Sequence, residues 1–304
     1  MGSALNTRAG GASAVHGLLE SVVDYAGMFP PANLPLSEAL RQYVSARSGA
    51  HGWLLGRFLI PLKRLADLED SLWSMPATDA GARWPLGAIA ARAAVGQLDA
   101  IAAFNERWTG LASVEAVEIA PVPPSEIGAI AKRLEGLEMF FEVPAGAAID
   151  TYLEPVAAAR AGAKIRTGGI TPDAFPDTDA LASFVLACGR IRVPFKATAG
   201  LHHALRGRYP LTPEDDTPVA MHGFLNLSVA AALVHATQAS PRETRAALDA
   251  SSTESFGFSD DALHWGDRTI GGAELVETRR CLFRAFGSCS FAEPVADLEA
   301  GGIR

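Results

Sequence analysis

Short apolar runs alternate with alanine-rich amphipathic stretches along most of this chain, and that alternation limits the fold more than any other feature. The apolar runs are VVDYAGMF (22–29), GWLLGRFLIP (52–61), PLGAIA (85–90), SVEAVEIAP (113–121), LEMFFEVP (137–144), AGAKIRTGG (161–169), RVPFKATAG (192–200) and HGFLNLSV (222–229). Between them, Leu36–Ser48, Val95–Trp108, Pro124–Leu134, Ile149–Ala161 and Thr178–Cys188 space their apolar residues three and four apart, as one buried helix face requires. Alternating βα units build a parallel sheet. Eight of them predict an α/β chain folded as a closed (β/α)8 barrel, with an open doubly wound sheet as the alternative. The expected layout is a barrel over residues 1–236, its bottom capped by a helix at Val15–Val22. A C-terminal helical extension over 237–304 would pack on it, with helices near Arg242–Ala250 and Glu274–Phe286 and a hairpin over Phe256–Ile270.

Charge and composition narrow the function classes. The 304 residues carry a formal charge of −8, which disfavours nucleic acid and anionic membrane as partners. Cys188, Cys281 and Cys289 are too few and scattered for a disulfide framework. No uncharged apolar run is long enough to span a bilayer, and no signal core opens the chain, so the expectation is a cytoplasmic bacterial-type protein. There are only four lysines, Lys63, Lys132, Lys164 and Lys196, against 22 arginines, so each lysine is worth placing.

Residues two apart on a strand share a face, and in a barrel one face points into the lumen. Charged residues cannot face apolar helices cheaply. Asp24, Arg57, Glu118, Glu142, Lys164, Arg166, Lys196 and Asn226 are therefore assigned inward. Inward residues near strand C-terminal ends form the active site of such barrels. The cations among them suggest a small anionic substrate, a carboxylate or phosphate.

His202 and His203 follow the seventh apolar run and His222 opens the eighth. With Glu142 they are the candidate ligands for a divalent metal in one reading. In the preferred reading no cofactor is needed, one histidine moves protons, and the others contact substrate.

Three segments resemble the deoxyribose-phosphate aldolase type of class I aldolase barrel. VVDYAGMFPPANL is similar to that family's opening strand and carries Asp24. AGAKIRTGG resembles its sixth strand, which bears the imine-forming lysine, and PFKATAGLHH its seventh, which bears a second lysine. The resemblance implies a barrel lyase. It sets Lys196 at the second lysine and Arg166 at or beside the imine-forming position, with Lys164 one inward position earlier. An arginine cannot form an imine, because its guanidinium stays protonated. His202 and His203 stand where the family has a glycine-rich turn that helps hold phosphate.

The leading expectation is an aldolase-like lyase acting on a small anionic carbonyl compound. Lys196, or alternatively Lys164, would form a Schiff base, with Glu142, His202 and Asp24 in the catalytic set. Arg57, Arg166, Glu118, His203, His222 and Asn226 would bind substrate. The alternatives are a metal-dependent hydrolase or isomerase and a non-enzymatic binding protein, and a homo-oligomer is left open.

Overall fold

The computed structural model describes residues 13–74, 83–212 and 215–303. Eight parallel strands close a barrel: β1 (Val23–Tyr25), β2 (Leu55–Pro61), β3 (Trp84–Ala90), β4 (Ala112–Ile119), β5 (Glu138–Glu142), β6 (Gly162–Arg166), β7 (Phe195–Thr198) and β8 (Phe283–Ser288). Neighbours pair in sequence order, and β8 lies between β7 and β1. This is a (β/α)8 barrel with additional elements in its C-terminal part.

Seven of the expected strands fall where the alternation puts them, and the eighth does not. HGFLNLSV enters a helix, Phe224–Thr237, instead of a strand. Phe224 to Val234 are buried without a break, because this helix is enclosed on every side. An all-apolar helix has no polar face to reveal its period, so the run reads equally well as a buried strand. The closing strand comes from FRAFGS, inside the stretch expected to be helical to Phe286; the helix there ends at Cys281. The division at 236 therefore fails, since the barrel needs residues 283–288 to close. Between β7 and β8 lie a hairpin (Gly207–Thr212 with Asp215–Met221), two helices (Phe224–Thr237 and Pro241–Asp249), a three-stranded sheet and the helix Gly272–Cys281.

Outward faces pack on the surrounding helices through large rings. Phe58 of β2 and Trp84 of β3 lie against Tyr43 of helix Leu36–Ser48, and Phe195 of β7 meets Phe184 of helix Thr178–Ile191 edge-on at 5.4 Å. Helix Ala14–Leu19 packs on helix Gly272–Cys281. No described helix is long and apolar enough to cross a membrane.

Candidate active site at the barrel mouth

The lumen carries a line of alternating charges. Lys196 of β7 is fully buried and its Nζ donates to Asp24 Oδ2 of β1 and, at 2.5 Å, to Glu118 Oε1 of β4. Glu118 also accepts from Lys164 Nζ of β6, at 3.2 Å through Oε2. Lys164 Nζ reaches Glu142 Oε2 of β5 at 2.9 Å, and Glu142 Oε1 lies 3.5 Å from Arg166 Nε. Asp24, Lys196, Glu118, Lys164, Glu142 and Arg166 thus form one chain across five strands.

Local sequence makes this approach feasible. A Cβ at Gly56 would lie 2.4 Å from Asp24 Oδ1, so only glycine lets that carboxylate accept from the backbone N–H of Arg57 at 2.7 Å. After β6 and β7, Gly168 and Gly200 are packed backbone to backbone. A Cβ on either would meet the other's Cα within 3 Å, and Gly200 has φ +72°. The Thr167 hydroxyl holds the same turn by donating to the carbonyl of Ala199.

The charge chain fixes protonation states by position. Burial alone would push Glu118 up, but Lys196 and Lys164 outweigh it and hold the carboxyl at about 2. Burial would likewise discharge Lys196, yet Asp24 and Glu118 prevail and raise its pKa. Lys196 is a fixed ammonium enclosed by carboxylates.

A cavity of about 550 Å³ opens above this chain at the C-terminal ends of the strands. Lys164, Arg166, Thr198, His202 and Cys289 line it, together with Leu59, Ile89, Phe29, Phe175, Leu211 and Met221. Lys164 is the single lysine on that lining among the described residues. His202 Nδ1 sits 3.1 Å from Glu293 Oε2 of the terminal helix Ala292–Ala300, and this hydrogen bond lowers the pKa of Glu293. Burial pushes the Cys289 thiol up, which makes it a poor thiolate. A wider cavity of about 820 Å³ at the opposite end is lined by Arg190, Arg192 and Arg280, and no lumen carboxylate or lysine enters it.

Several expected site residues lie elsewhere. Arg57 faces the lumen, but near its N-terminal end, where its Nη2 donates to Glu138 at 2.6 Å; Arg284 Nε donates to the same carboxylate at 2.6 Å. This trio plugs the barrel base away from the cavity. Glu118 is sealed below the cavity and cannot touch substrate. His222 accepts from Arg206 at 3.0 Å and donates to the carbonyl of Pro176 at 2.8 Å. Burial, with the nearby Arg206, lowers its pKa and keeps it neutral. Asn226 sits on the buried helix, where it accepts from the N–H of Arg206 and donates to the carbonyls of Ala247 and Ala250. His203 stacks on Tyr209 at 3.5 Å and pairs with Asp297 at 3.1 Å. The proposed metal set of His202, His203, His222 and Glu142 is therefore dispersed. Among the described residues no cluster of three or more His, Cys, Asp or Glu is placed to hold a metal ion.

The sequence reading did not include Glu138, Arg284 or Glu293. Glu138 had a signal, since it shares its strand face with Phe140 and Glu142. Glu293 had none, because its partner lies on a distant loop. No protein-family model matches the chain, and neither a curated protein nor a solved structure matches it.

Proposed function

We propose that the chain is an enzyme, a lyase that makes or breaks a carbon–carbon bond beside a carbonyl group through an imine on Lys164. One observation carries this reading: Lys164 is the lysine on the cavity lining, with a proton acceptor, Glu142, 2.9 Å from its Nζ. The class I aldolase resemblance supports the barrel and an anionic substrate.

The residues divide the work as follows. Lys164 hands a proton to Glu142 and its free amine adds to the substrate carbonyl carbon. Glu142 returns the proton to the resulting hydroxyl, water leaves, and the protonated imine forms. That cation draws electrons from the bond between the α and β carbons, and as the β-hydroxyl gives its proton to His202 the bond breaks to an enamine and a second carbonyl product. Lys196 stands at the paired register position on β7 and keeps its own charge, held by Asp24 and Glu118. Glu118 and Asp24 position that charge. Arg166 holds the substrate's anionic group, and His202, turned by Glu293, moves protons at the mouth.

Borohydride reduction in the presence of small oxo acids and aldehydes tests this. The expected product is an adduct mass on the peptide that carries Lys164 and not on the one that carries Lys196. No adduct on either lysine would sink the reading.

A further inference from the structure

The lining of the mouth is split between two chemistries. On the arc formed by β6 and β7 stand Lys164, Arg166 and Thr198, with Glu142 behind Lys164. On the arc opposite, β2 and β3 present Leu59 and Ile89, two residues apart in register. The covering elements continue the apolar side: Phe29 from the loop after β1, and Leu211 and Met221 from the hairpin after β7.

Ile170 gives a second, independent indication. It lines the cavity rim and is 64% exposed, the more exposed of the two large hydrophobic residues left open to solvent among those described. Nothing in the described chain covers it. An apolar side chain in that position gains burial only when something apolar enters the cavity beside it.

We infer that the site takes a two-faced ligand, a 2-oxo acid with an apolar side chain of several carbons or a ring. This rests on the assignment of Lys164 as the carbonyl partner. The carboxylate lies against Arg166, the carbonyl carbon at Lys164 and the apolar group on the Leu59–Ile89 wall under Leu211 and Met221. Arg166 is the cation suited to the carboxylate because its side chain is 52% exposed, and its link to Glu142 is the longest in the charge chain, at 3.5 Å. A cavity of about 550 Å³ exceeds what a two- or three-carbon substrate fills. A sugar or other hydroxylated ligand would leave its hydroxyls unpaired against Leu59, Ile89 and Phe29, which costs affinity.

Calorimetric titration of the full chain with pyruvate, 2-oxobutanoate, 2-oxopentanoate and 2-oxohexanoate tests this, with 2-pentanone as the neutral control. Each added methylene is expected to tighten binding about threefold to fourfold. The neutral ketone is expected to bind at least about tenfold more weakly than the acid of the same length. Arg166→Met should erase that difference, and Ile170→Ser should flatten the length series. A flat length series, or a ketone that binds as tightly as the acid, overturns the inference. Borohydride trapping with the same compounds separates the two readings. A graded series with no adduct keeps the two-faced site and removes the imine, and an adduct on Lys164 with a flat series does the reverse.

Discussion

Glu118 and Lys196 meet at 2.5 Å in the middle of the barrel, on strands β4 and β7, and both are fully shielded from water. Two opposite charges so placed are costly to desolvate and costly to separate. Their presence ties the stability of the barrel to the same groups that set the charge around Lys164.

Acid should reveal that coupling. Glu118 is held at about 2 against an ordinary 4.5, so its contribution is complete above about pH 4.5 and is lost as pH falls through 2. The shift corresponds to about 3 kcal/mol. Denaturant midpoints measured from pH 6 to pH 2 should fall steeply in that window for the wild type. Glu118→Gln should be less stable at pH 6 and show a flatter acid limb. Parallel acid limbs would exclude Glu118 as the cause.

Removing Lys196 leaves two buried carboxylates facing each other's field. Lys196→Met should cost about 3–5 kcal/mol in urea unfolding. Adding Asp24→Asn removes one of the stranded charges and should recover at least about 1 kcal/mol. Purely additive losses would mean that Asp24 and Lys196 do not act as a pair.

In the proposed mechanism Glu142 relays the proton in imine formation. Glu142→Gln keeps its size and loses that capacity, so the rate of borohydride-trapped adduct should fall about 100-fold. An unchanged rate would pass the role to another group, with His202 the first to examine.

Chelation should leave trapping intact. The expected ligand set is scattered, with His222 spent on Arg206 and Pro176 and His203 on Tyr209 and Asp297. Overnight treatment with a strong chelator should change the trapping rate by less than about twofold, well below the several kcal/mol that a Lewis acid supplies. A tenfold loss restored by a divalent cation would return the metal reading.

What could be read from the sequence was direction, and what could not was depth. Alternation along β4, β5, β6 and β7 put Glu118, Glu142, Lys164, Arg166 and Lys196 on the lumen side, because a charge on the outward face would meet apolar helices. How far along the lumen each one lies depends on register between strands distant in sequence. Pro61 pairs with Ile89, and Ile89 with Glu118, so Arg57 sits two inward positions nearer the strand start and falls at the base. The same limit hid β8. Phe283–Ser288 is too short and mixed to announce a strand, while the enclosed helix Phe224–Thr237 carries the stronger apolar run. His202 was visible beside its strand, but its orientation is set by Glu293, which no local pattern connects to it.

The place of β8 between β7 and β1 has a consequence for how the site is held together. Lys196 on β7 and Asp24 on β1 belong to strands that do not pair with each other. Phe283–Ser288 pairs with both and so holds the two charges within reach. The strand that completes the wall is thus also the seam that encloses the central ion pair, and the electrostatics around Lys164 depend on the same six residues that close the barrel.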